Sequence, residues 1–320
     1  RDVERSRGLG DVYKRQAKYV DMPVNWCEEL GTVLSNDEVI DGKSERGGYP
    51  VIRKNMKQLC IDQAAFAERL LEGLNEIDWP ESTKEMQRNW IGRSTGVEVQ
   101  FEIVGGGKFS IFTTCIETIY GITFMVLAPD GDLVQELMPR IKNQDEVKAY
   151  IQETVSKSEM DRTELNKGKT GCRLEGIKAI NPVNGREVEV FIGDFVLANY
   201  GTGAVMAVPS HDQRDFEYAI AHNIDRIQVI EGQDVSEHAF EKQDYLGKGC
   251  KLINSEEFTG LTVEEAKVAI TKKLVDMGIA KETVNYRFRE WIFARQRYWG
   301  EPIPIIHCPH CGNVPVPEDQ

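Results

Sequence analysis

Residues 198–219 read ANYGTGAVMAVPSHDQRDFEYA, and the change of texture inside them decides the fold. Gly201 and Gly203 break the chain, and glycines of this kind let backbone approach a ligand closely. The apolar run that follows reads as a buried strand, with Met206 and Val208 alternating with Ala207. Beyond Pro209 the stretch SHDQRDFEYAIAH has helical character. Asp212 and Asp215 stand at i and i+3, so a helix brings both carboxylates onto one face. Ser210 is expected to cap this helix, and the positive helix start is expected to keep both acids ionised. Paired carboxylates suit an ammonium group. Acids at a helix start also simply complement its dipole, and this string alone leaves the two readings level.

Working outward, the surroundings are strand-rich. VEVQFEIVGGGKFSIFTT (97–114) predicts two alternating strands around a glycine turn, and ITFMVLAP (122–129) a buried one. AINPVNGREVEVFI carries a hairpin signal at Asn184-Gly185. Val147, Tyr150, Ile151 and Val155 predict an amphipathic helix, and Thr262 with Glu265 a capping box ahead of a stop at Gly278. On the N-terminal side, 17–55 reads as loops and short strands, and 56–74 as a helix that Trp79-Pro80 ends. A second helix starts at PESTKEMQRNW. Residues 1–16 share no pattern with the rest and are left unassigned as a non-native segment. A strand-rich middle between two segments of different character is what an inserted domain would give.

The 320 residues can bury a real core, and 41% hydrophobic with 28% charged residues is ordinary globular composition. No apolar run reaches the roughly 20 residues of a membrane helix, so no membrane partner is expected. Seven scattered cysteines argue against a disulfide framework and for a reducing, cytoplasmic setting. A net charge of −13 rules out whole-molecule attraction to nucleic acid, so any RNA contact must use a local patch or end recognition.

Four strings, in order, carry a family likeness: MPVNWCEELGTVLSNDEVIDG (22–42), ERGGYPVIRK with EMQRNWIGRS (45–94), the opening stretch (198–219), and NYRFREWIFARQRYWGEPIPI (285–305). Together they resemble the bacterial-type leucyl-tRNA synthetases, over about residues 17–320. The resemblance implies an α/β fold of the α+β kind. A β-barrel editing domain with surrounding helices would be inserted into a split class I Rossmann-type catalytic domain. It would make 17–90 part of the catalytic domain, 91–287 the editing domain, and 288–320 a return segment of the catalytic domain. The parent enzyme would charge tRNA(Leu) with leucine using ATP and magnesium. Neither an H-x-G-H nor a K-M-S-K-S string is present, so those sites are not expected in this chain and the fragment should not aminoacylate. Editing itself needs no cofactor. The expected partners are tRNA(Leu) and an amino acid, either leucine or mischarged isoleucine, methionine or norvaline, and the chain is expected to be a monomer.

The resemblance also assigns site residues. Asp212 and Asp215 would hold the ammonium group, Asp215 most securely. Thr113, Thr114 and Thr118 in FTTCIETIYG would line the site, with Thr118, stiff at its branched Cβ, keeping leucine out. Met206 and Val208 would form an apolar wall, and Tyr200 would stack on the terminal adenine. Such residues in strands are more often plain core. The chain departs from the family string T-T-R-P-D-T at Cys115, Ile116 and Glu117, which removes an arginine fork; Glu117 keeps an acid and is expected to form a structural ion pair. Cys115 has no histidine beside it in sequence, which argues against a thiol hydrolase.

No metal is assigned to the site. His307, Cys308, His310 and Cys311 make half a zinc ribbon, with a bare turn as the simpler reading. NKGKTG (166–171) lacks the glycine a phosphate loop needs at Thr163, and GGGK (105–108) reads as a hairpin turn. Two alternatives stay open: a non-catalytic aminoacyl-tRNA-binding module, and the editing region of a valyl- or isoleucyl-type relative.

Overall fold

A computed structural model describes residues 17–156, 162, 170–198, 201–288, 290–292 and 305–315. The chain divides into two compact units. One holds the described residues up to Arg93 and those from Tyr286 onward; the other is Ser94–Asn285.

In the first unit, β1 (Ala17–Cys27) pairs antiparallel with both β2 (Thr32–Leu34) and β3 (Ile52–Ile61). Two expectations are corrected here. Residues 17–27 form one long strand, not loops and short pieces, and the helix expected from Met56 is a strand as far as Ile61. The reason is a ten-residue ladder to β1, along which Gln58 and Cys60 are buried alternately. Period-two burial against a partner overrides a loose helical spacing. Helix returns only at α1 (Ala67–Gly73), followed by α2 (Glu81–Ile91) with Pro80 as its N-cap and Gly92 left-handed at its end.

The second unit is built on a seven-stranded sheet. Its first strands are β4 (Arg93–Ile103) and β5 (Lys108–Thr113), an antiparallel pair joined through the left-handed Gly105–Gly107 turn. A short 3-10 helix, Ile116–Gly121, leads into β6 (Phe124–Leu127). After α3 (Asp132–Leu137) and α4 (Gln144–Ser156) come β7 (Gly171–Ile180) and β8 (Glu187–Gly193). These two form the hairpin signalled by Asn184-Gly185, with Gly185 at φ +70°. Then follow β9 (Ala204–Ala207), α5 (Gln213–Ala221), α6 (Lys242–Tyr245), α7 (Val263–Asp276) and β10 (Ala280–Tyr286). Thr262 and Glu265 make both bonds of the capping box on α7.

The sheet order is β9-β6-β8-β7-β4-β10, with β5 on the other side of β4. β5 also lies beside β9, so the sheet curls back on itself. Inside it the rings of Phe101 and Phe109 stack at 5.8 Å, and Ile111, Met125, Leu174, Ile177 and Ile192 fill the core. A second cluster seats α5 on the outer face of β6 and β8. There Tyr218 stacks on Phe124 at 5.3 Å and meets Phe191 edge-on at 5.5 Å. Back in the first unit, β11 (Trp291–Ile292) joins the edge of β3, and β12 (Ile305–Cys308) with β13 (Gly312–Pro315) makes a separate hairpin.

Candidate functional site

The antiparallel pairing of β6 with β9 sets the geometry. Phe124, the first residue of β6, faces Ala207, the last of β9, so the start of one and the end of the other share one end of the sheet. The segment Thr113–Thr118 runs into β6 at that end, and Val208 to Asp215 runs out of β9 there. Thr123 N–H donates to Ala207 O at 3.2 Å and closes the junction. Segments far apart in sequence are thus brought to one end of the sheet by one strand pair.

On the helix side, Asp212 is the N-cap of α5, its carboxylate accepting from Asp215 N–H at 3.1 Å. Ser210, expected in that role, is instead fully buried, and its Oγ has no hydrogen-bond partner among the described residues. Asp215 is 2% exposed and accepts from Val208 N–H at 2.9 Å. The guanidinium of Arg214 lies 3.5 Å from Asp215 and 3.7 Å from Asp212, over the Phe195 ring at 5.0 Å. Burial pushes Asp215 up to about 7, with Asp212 adding to it and Arg214 opposing. The expectation that a helix start keeps both acids fully ionised fails for Asp215: loss of water outweighs the dipole.

On the threonine side, Thr113 and Thr114 are half-buried. Thr113 Oγ1 accepts from Cys115 N–H at 3.0 Å, and Thr114 O accepts from Lys267 Nζ of α7 at 2.9 Å. Thr118 is 1% exposed and donates its hydroxyl to Cys115 O at 2.9 Å, which fixes its rotamer. Glu117 is fully buried and accepts from the Tyr245 hydroxyl at 3.1 Å. Desolvation raises its carboxyl, against smaller pulls from its own backbone, Lys267, Tyr245 and Lys242. The ion pair expected at Glu117 is a neutral-partner hydrogen bond among the described residues.

His211 joins the two sides. Its Nε2 accepts from Val229 N–H at 3.0 Å, so Nδ1 carries the proton given to Phe240 O, also at 3.0 Å. Burial lowers it to about 4. With both nitrogens engaged, this imidazole offers no base to the Cys115 thiol. Sequence reasoning missed His211, Tyr245 and Lys267 because their partners lie 18 to 153 residues away. Arg214 was legible in principle, sitting between the two aspartates.

Met206 and Val208 are buried in the apolar core, with Met206 opposite Met125. Tyr200 lies outside the described residues, as do residues 1–16 and most of NKGKTG. The half-ribbon is a hairpin in which Cys308 Sγ accepts from Cys311 N–H at 3.4 Å. Among the described residues no three His, Cys, Asp or Glu group to hold a metal ion, and no helix is long and apolar enough to cross a membrane.

Residues 88–275 match the family described as leucyl-tRNA synthetase, editing domain. A similar solved structure is the crystal structure of the ternary complex of Agrobacterium radiobacter K84 agnB2 LeuRS with tRNA and LeuAMS. It superposes with a TM-score of 0.76 at 32% identity, over 97% of this chain and 35% of that one. The chain therefore spans about a third of that protein's length.

Proposed function

This chain belongs to the leucyl-tRNA synthetase editing-domain family, and from that premise we propose that it hydrolyses the ester of mischarged tRNA(Leu). The observation that carries the reading is that the threonine segment and the aspartate helix adjoin the same end of the β6–β9 pair. Ester hydrolysis on this substrate needs an ammonium anchor, a size filter and polar atoms that hold a water.

Asp215 is assigned the anchor. One of its oxygens is tied to Val208 N–H; the other faces Arg214, whose side chain is 43% exposed. The substrate's ammonium group takes the place of that guanidinium, with Asp212 beside it. Thr118 is assigned the filter. Its hydroxyl is bound internally, so the branched side chain is held as a fixed wall against leucine. Thr113 and Thr114 are the accessible hydroxyls for water, Met206 and Val208 back the pocket, and Tyr200 stacks on the terminal adenine. A sieve of this kind is useful because one methylene separates substrates by only about 1–3 kcal/mol in a single pocket, as sibling synthetases illustrate.

The same reading makes Ser94–Asn285 the editing insert and the other unit catalytic-domain edges, in a protein that works in the cytoplasm. Charging with leucine, with ATP and magnesium, is assigned to longer relatives; this sequence carries neither string that would hold them. The test is deacylation of Ile-tRNA(Leu) against Leu-tRNA(Leu). The chain should cleave the first and spare the second, Asp215→Ala should abolish cleavage, and Thr118→Ala should admit leucine. An unchanged rate in Asp215→Ala sinks the anchor assignment.

A second reading is a module that binds aminoacyl-tRNA without turnover. The near-complete burial of Thr118 and Asp215, and the Cys115–Glu117 departure, favour it. Saturable tRNA binding with no hydrolysis would decide for it.

A further inference from the structure

Glu117 and Tyr245 form a buried polar contact across 128 residues, joining the turn that bears Thr118 to the end of α6. Both side chains are fully buried. The second carboxylate oxygen, Oε2, has no hydrogen-bond partner among the described residues. A half-satisfied buried acid is a poor stabiliser; apolar side chains in place of both partners are often as good or better. Its placement argues for another use.

From Tyr245 the contact continues to the aspartates. The Tyr245 ring meets His211 edge-on at 6.0 Å and Phe240 at 5.7 Å. Phe240 receives the His211 Nδ1 hydrogen bond on its carbonyl and gives its own N–H to Ser210 O at 2.9 Å. His211 directly precedes Asp212, the cap that takes the Asp215 amide. One path thus runs Thr118–Glu117–Tyr245–His211–Asp212–Asp215, buried at every member but the half-exposed Asp212.

We propose that Tyr245 and Glu117 are positioning residues that hold the threonine turn and the aspartate helix at a fixed separation, so that the filter and the anchor act on one amino acid. This rests on the hydrolase reading given above. The hydroxyl of Tyr245 locks the turn through Glu117 while its ring locks the helix start through His211. Neither residue touches substrate. Lys267, which holds Thr114 O from α7, fixes the other end of the same turn.

The experiment uses the full chain with Tyr245→Phe, Glu117→Gln and Glu117→Leu. Tyr245→Phe keeps the ring and removes the lock; kcat for Ile-tRNA(Leu) should fall about tenfold at near-constant KM, the scale of a sub-ångström misplacement. Glu117→Gln keeps an acceptor and should retain activity. Glu117→Leu should lose kcat as Tyr245→Phe does, and the double variant Glu117→Leu/Tyr245→Phe, which leaves neither polar group unpaired, should melt no lower than wild type with kcat still lost, a split that a merely structural role would not give. Wild-type kcat in Tyr245→Phe, or equal losses in Glu117→Gln and Glu117→Leu, would overturn the proposal.

Amide hydrogen exchange separates this from failure of the hydrolase reading. In Tyr245→Phe the amides of Thr118 and Asp215, bonded to Cys115 O and Asp212 Oδ1, should exchange faster together. Faster exchange confined to the turn overturns the lock. An inactive wild-type chain in which both amides respond sinks the hydrolase and leaves the lock standing.

Discussion

The two units bury different things. Ser94–Asn285 encloses a continuous apolar core and places Asp215, His211, Glu117 and Thr118 in or against it. In the other unit the buried apolar side chains among the described residues are few: Val24, Cys27, Val33, Leu34, Cys60, Ala67, Leu74 and Ile91. It leaves Met86 and Trp90 each 69% exposed at i and i+4 on α2. Among the described residues, most buried polar side chains lie in the unit with the larger apolar core. A buried acid or imidazole is tolerated only where surrounding packing fixes its partners.

The contrast can be broken at its largest expected effect first. Phe101→Ala, in the core of the second unit, should cost about 3–5 kcal/mol in denaturant unfolding. A loss below 1 kcal/mol would mean that core is not what holds the site.

His211 sharpens it next. Its folded value, lowered to about 4 from 6.5, means a contribution fully present above 6.5 and lost as pH falls towards 4. The stability gap between wild type and His211→Gln should shrink by roughly 3 kcal/mol across that window. A gap that does not move with pH would show the imidazole is not locked neutral.

Asp215 is shifted the other way, yet its effect too is lost on acidification. Raised to about 7, it loses its charge as pH falls through that value, and an uncharged carboxyl cannot anchor ammonium. Deacylation, corrected for spontaneous ester hydrolysis, should drop about tenfold for each unit below pH 7. A profile flat down to pH 5 would break the anchor assignment. The smallest effect is expected at Trp90→Ala, within about 0.5 kcal/mol and without change in deacylation.

How much of this was legible depended on the reach of each signal. The glycine turn at 105–107, the Asn184-Gly185 hairpin, the capping box at Thr262 and the strand-to-helix change at 198–219 are local, and the structure keeps all four. Residues 56–61 of the strand Ile52–Ile61 read as helix in sequence because only pairing with β1 reveals their period. At the site, the residue types were readable but not their surroundings. Nothing near Asp215 in sequence signals the burial that raises it. Tyr245 gives no hint of its bond to Glu117, and Asp212 took the cap from Ser210 because it could reach the Asp215 amide.

β4 and β10, the strands by which the chain enters and leaves the second unit, are neighbours in one sheet. Gln100 N–H donates to Ile279 O at 2.8 Å, and Arg287 N–H reaches Ile91 O at 3.1 Å. A module whose two ends exit side by side can be spliced into a surface loop of a host without stretching that loop. By the same token, its ends could be ligated into a circle, and the ring should keep its core.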